Sequence, residues 1–173
     1  AVNGRNEAAQ QSIKQIKVGS CSHSDITVFS FHPVKIITTA EGGMALTNNP
    51  ELAERMARLR THGITKDPRR MQNPSVGPWY YEQLELGYNY RMTDLQAALG
   101  ISQLNRLDKF VAQRNEIAKC YNEFLSDLPI RRPHLRHGVY SSWHLYPIYL
   151  QLDQIKIGHR QVFELLREEG LGV

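Results

Sequence analysis

Ser30-Phe31-His32-Pro33-Val34-Lys35 is the stretch on which the reading of this chain turns. It follows Asp25-Ile26-Thr27-Val28-Phe29, which is rich in β-branched and aromatic residues and nearly continuously apolar. Such a run predicts a buried strand, covered on both faces. The strand ends in a hydroxyl. A turn follows at Pro33, and then one lysine stands among Val34, Ile36 and Ile37. Lysine avoids apolar company unless its amine has a partner or a chemical task. A desolvated lysine amine loses its proton more readily, and a neutral amine can form a Schiff base.

Five residues fully extended span about 17 Å. A turn at Pro33 would therefore bring Ser30 and Lys35 to the two ends of one small ring-shaped cofactor. Pyridoxal 5'-phosphate (PLP) has that layout, with an aldehyde for the lysine and a phosphate for the hydroxyl. The other reading is an edge lysine whose stem lies along apolar surface while its amine reaches water.

Working outward, Met44-Ala45-Leu46-Thr47 predicts a second short strand, entered through Gly42-Gly43. Asn49-Pro50 opens a helix, with Asn as the cap and Pro at the first position. Leu52, Met56 and Leu59 keep helical spacing, and Gly63 ends it. Residues 64–88 hold Pro68, Pro74, Gly77, Pro78 and Gly87 with little period, and predict a long loop. Thr93-Asp94-Leu95-Gln96 is a capping box for one or two long helices over 93–128. Pro129 and Pro133 stop them; a strand over Trp143–Leu152 and an amphipathic helix over 158–169 follow. Residues 1–17 predict a short helix or a frayed arm. Helices interleaved with apolar strands indicate an α/β protein, with a candidate domain boundary near 129–140.

The composition fits this. Of 173 residues, 41% are apolar and 22% charged, which is ordinary for a globular chain and argues against disorder. No apolar run approaches the ~18–20 residues of a membrane-spanning helix. The polar start lacks the apolar centre of a secretory leader. Cys21 and Cys120 are far apart, so neither a zinc cage nor a disulfide framework is expected, and a cytoplasmic setting is. A net charge of +4 suits anionic ligands but is too weak to argue for nucleic acid.

Four stretches, in order, carry a resemblance. They are Ser30–Lys35, Thr38-Thr39-Ala40-Glu41-Gly42-Gly43, Leu59-Arg60-Thr61-His62-Gly63-Ile64 and Gly87-Tyr88-Asn89-Tyr90-Arg91-Met92-Thr93-Asp94. Together they resemble the DegT/DnrJ/EryC1/StrS family of PLP-dependent sugar aminotransferases. The resemblance implies part of a fold-type I transferase, a mainly parallel sheet flanked by helices. Residues 1–128 would belong to its large PLP-binding domain and 129–173 to the start of a smaller α+β C-terminal domain. It implies a homodimer with shared active sites. Lys35 matches the lysine that holds PLP as a Schiff base, and Ser30 the serine that binds its phosphate. Asn89 matches an asparagine that reaches the phosphate in the neighbouring subunit's site. Arg91 matches an arginine presented there to an anionic part of donor or substrate. No metal is implied.

The long insert Thr65–Glu82 and the run Leu152–Gly158 look most like the subgroup acting at C4 of UDP-linked 4-keto-6-deoxy hexosamines, with glutamate the expected amino acid donor. The family's aspartate opposite the pyridine nitrogen, its upstream phosphate loop and its C-terminal segment have no counterpart here. The chain thus resembles the middle part of a longer enzyme and is expected to be inactive alone. The alternative is a non-catalytic α/β module that binds anions or serves oligomerisation. His32, His62 and the basic run Arg131–His137 have structural readings beside functional ones. Trp79-Tyr80-Tyr81 suits either stacking on a sugar or base, or pinning the loop.

Overall fold

A computed structural model of the chain describes residues 16–172, so the expected N-terminal helix or arm lies mostly outside them. The chain separates into two compact units between Asn105 and Arg106.

The first unit opens with β1 (Thr27–Ser30), which pairs antiparallel with β2 (Gly43–Leu46). Thr27 faces Leu46, and Ser30 faces Gly43. Cys21 ties the preceding segment to β2, its thiol donating to the Leu46 carbonyl at 3.2 Å. The expected burial on both faces does not occur: Val28 is 74% exposed. An apolar strand needs a layer on each side, and within these residues only one side is covered. The three strand pairs among the described residues are all antiparallel, so the parallel pairing expected of the fold type is not in this portion.

Helix α1 (Pro50–Leu59) starts as its sequence predicts. The Asn49 side chain accepts from the amides of Glu51 and Leu52 at 2.8 and 3.3 Å, answering donors that the first turn leaves open. After it, β3 (Ile64–Thr65) pairs with β4 (Glu82–Gln83), so the long loop is anchored near both ends. Glu82 organises its middle. Its carboxylate accepts from the amides of Gln72 and Asn73, from the Asn73 side chain and from the Tyr80 hydroxyl. Of the three adjacent rings, Tyr80 is thus a loop pin, whereas Trp79 and Tyr81 stay exposed.

Segment 87–90 runs back along the end of α1. Tyr88 donates to the Leu59 carbonyl at 2.7 Å, His62 to that of Tyr88 at 2.8 Å, and Tyr90 to that of Arg60 at 3.0 Å. Helix α2 (Asp94–Leu104) then begins in a complete capping box between Thr93 and Gln96. Its covered face carries Gln96, Ala97, Gly100 and Gln103, while Leu95, Ile101 and Leu104 face outward.

The second unit holds α3 (Leu107–Phe124), the pair β5 (Ile130–Arg131) and β6 (Tyr149–Leu150), and α4 (His159–Glu168). Asn115 is its joint: it donates to the Val111 and Ser141 carbonyls and accepts from the Trp143 indole. The strand expected over 143–152 is only two residues long. Trp143 sits at φ +48°, Pro147 has no N–H to give, and Arg114 holds the Trp143 carbonyl at 3.0 Å.

Candidate functional site

The candidate site is the loop between β1 and β2. Its neck is closed by main-chain bonds: Phe31 donates to the Gly42 carbonyl at 2.8 Å and Thr39 to that of Phe31 at 3.0 Å. The Thr38 hydroxyl donates to the same Phe31 oxygen at 2.9 Å. Inside the neck, Pro33 and Val34 form a turn that ends with the Lys35 amide donating to the His32 carbonyl at 2.9 Å. Lys35 is half-buried, as are Ile36 and Ile37, while Val34 is exposed.

Ser30 is exposed at the end of β1, its hydroxyl accepting a long bond of 3.4 Å from the His32 amide. Its lone pairs and proton therefore remain largely available. His32 is turned to its own surroundings: Nδ1 accepts from the Val34 amide at 3.4 Å, and Nε2 lies 3.9 Å from the Glu41 carboxylate. Both groups of that pair are well exposed, so it adds little.

Asn89 and Arg91 are exposed on the segment that leads into α2. Asn89 bridges Thr61 across the end of α1. The Lys35 loop and this segment meet within the same unit. A methyl group on Gly42 would lie 2.8 Å from the Met92 Cε, and the Gln96 side chain donates to the Glu41 carbonyl at 3.0 Å. Gln96, Met92 and the buried Thr39 were not legible as parts of a site. Gly100, one turn after Gln96, was the available signal, since residues four apart share a helix face.

The donor set is suited to a phosphorylated aldehyde. Lys35 offers an amine on a fixed turn and Ser30 a hydroxyl at the strand end, while the Asn89 amide and the Arg91 guanidinium stand exposed on a second braced segment. Among the described residues, no carboxylate stands with this set to pair with a pyridine nitrogen. Asp25 lies before β1, at the end away from Ser30, where its carbonyl accepts from Thr47. Among the described residues, no cluster of three or more His, Cys, Asp or Glu is placed to hold a metal ion. No helix among them is long and apolar enough to cross a membrane.

The chain is similar to several known proteins. UDP-4-amino-4,6-dideoxy-N-acetyl-beta-L-altrosamine transaminase of Campylobacter jejuni is 39% identical over 173 residues, covering 99% of this chain and 43% of that protein. The solved structure of PseC of Helicobacter pylori, an aminotransferase involved in the biosynthesis of pseudoaminic acid, superposes with a TM-score of 0.74 at 34% identity. It covers 85% of this chain and 37% of its own. Spr1654 of Streptococcus pneumoniae, solved in a PLP form, superposes with a TM-score of 0.72 at 31% identity, covering 88% of this chain and 38% of its own. This chain thus spans about two-fifths of the length of such relatives, and its α/β architecture is part of the fold-type I transferase fold. The DegT/DnrJ/EryC1/StrS aminotransferase family matches residues 6–173, and the chain belongs to it.

Proposed function

We propose that this chain is the lysine-bearing part of a PLP-dependent aminotransferase. The proposed reaction moves an amino group from an amino acid donor, glutamate, to a UDP-linked 4-keto-6-deoxy hexosamine. The observation that carries this reading is the closed loop that presents the half-buried Lys35 one turn beyond the Ser30 hydroxyl. The likeness to the C. jejuni transaminase supports the choice of sugar. On this reading residues 1–128 belong to the large domain and 129–173 open the small one, in a cytoplasmic homodimer with shared sites.

PLP, when bound, supplies an electron-withdrawing ring that makes the α-hydrogen of an amino acid acidic. The protein's tasks are then positional. Lys35 Nζ holds the cofactor's aldehyde end and afterwards carries the transferred proton. The Ser30 hydroxyl and the Asn89 amide donate to phosphate oxygens, Asn89 in the neighbouring subunit's site. Arg91 pairs with an anionic part of donor or substrate.

The test is an absorption titration of the purified chain with PLP. A visible band that Lys35→Ala abolishes is expected; a band unchanged in that variant would refute the role of Lys35. Binding is expected to be weak, because among the described residues no carboxylate stands with Ser30 and Lys35 to pair with the ring nitrogen. A second reading, a non-catalytic module for oligomerisation or anion binding, is favoured by one observation: the outward leucines of α2. A chain that labels nowhere with PLP yet self-associates would support it.

A further inference from the structure

The Glu41 carbonyl closes the far end of the lysine loop, and it accepts two side-chain bonds. The Thr39 hydroxyl donates at 2.8 Å and Gln96 Nε2 at 3.0 Å. Thr39 is 2% exposed, the most enclosed large side chain of the loop. It is held from two sides: a methyl on Gly42 would lie 2.3 Å from its hydroxyl, and one on Gly100 2.7 Å from its Cγ2. Gln96 is fully committed as well. Its Oε1 accepts from the Thr93 amide and hydroxyl at 2.9 and 3.0 Å, while its Nε2 goes to Glu41. One amide group therefore serves as the capping-box acceptor of α2 and as the tether of the lysine loop.

We infer that Gln96 is a positioning residue for Lys35, acting through the Glu41 carbonyl together with Thr39. The inference rests on the proposed role of Lys35. A carbonyl fixed by two donors, beside a neck fixed by three bonds, leaves the lysine turn few alternative backbone paths. Removing one donor widens that set and lowers the share of time the amine spends in reactive geometry. Gln96→Glu keeps the capping box but replaces the donor to the Glu41 carbonyl with a carboxylate oxygen that repels it. Thr39→Val removes the other donor at nearly constant volume. Thr93→Ala is the opposite control, weakening the cap and leaving the Gln96 donor in place.

The experiment exposes the purified chain to millimolar PLP, traps imines with borohydride at intervals, and quantifies label at Lys35 against the exposed Lys66 by peptide mass. Wild-type chain is expected to label Lys35 several times faster than Lys66. Gln96→Glu and Thr39→Val are each expected to lower the Lys35:Lys66 ratio at least about fivefold, a loss of selectivity that Thr93→Ala, destabilised by a similar drop in melting temperature, does not show. The double variant should do little more than either alone, since both act on one oxygen. A ratio unchanged in both single variants, or lowered equally by Thr93→Ala, overturns the positioning role while the cofactor reading stands. Wild-type labelling of Lys35 no faster than Lys66 overturns both.

Discussion

At Gly63 the backbone adopts φ +69°, and a Cβ there would sit 1.9 Å from the Glu85 carbonyl oxygen. Gly87 is as confined, with its Cβ position 2.2 Å from the Gly63 amide nitrogen. These two glycines let segment 87–90 close on the end of α1. Gly63→Ala is expected to destabilise the first unit by more than the ~1–2 kcal/mol of a left-handed residue, because a backbone clash adds to it; urea denaturation would measure this. The same region gathers depressed carboxylates. Hydrogen bonds from Arg69 hold Asp67 at about 2, the Gln72 amide lowers Glu82, and Arg58 lowers Glu85. A carboxylate lowered in the folded state stabilises it above its unfolded value and loses that contribution as pH falls through the folded one. Loop 64–85 should therefore loosen as pH drops from about 4 towards 2, given an ordinary carboxylate near 4. Carboxyl titration by NMR should place Asp67 near its low value in wild type and in the ordinary range in Arg69→Ala.

The ends of elements were legible because they are written locally. Asn49-Pro50 and Thr93–Gln96 specify their helix starts within four residues, and both form as read. Asn49→Ala should cost about 1 kcal/mol, the usual worth of an N-cap side chain, seen as a lower denaturation midpoint. Coverage was not legible, because what lies on a strand comes from elsewhere in sequence. Thr27-Val28-Phe29 has the composition of a two-sided core strand, yet Val28 is bare. The lysine loop was legible through Ser30, Pro33 and Lys35. Its brace was not, because Gln96 reads completely as a helix cap and nothing in that motif announces a second bond 55 residues back along the chain.

Across the molecule, apolar surface is left uncovered. Leu86 is 90% exposed, Leu95 85% and Phe124 81%. Ala118 is the one fully buried apolar side chain among the described residues. On α2 the polar and small face is covered while leucines point out, the reverse of a helix on the surface of a lone domain. Patches of this kind mark interfaces or aggregation sites. The isolated chain is expected to self-associate at micromolar concentration and to bind an apolar dye. Sedimentation velocity showing a clean monomer without dye binding would contradict this. Leu95→Lys with Ile101→Lys should shift the distribution towards monomer.

The seam between segment 87–90 and the end of α1 is drawn by main-chain atoms: the amides of Tyr88, His62 and Tyr90 and the carbonyls of Leu59, Tyr88 and Arg60. Outside Gly63 and Gly87, where a Cβ would strike backbone, such a seam does not depend on side-chain identity. Tyr88 and Tyr90 stack on each other on the outer side, 4.7 Å between ring centres, and can be exchanged without redrawing the backbone that carries Asn89 between them and Arg91 beyond. The backbone, and not the flanking rings, fixes where the two polar groups stand.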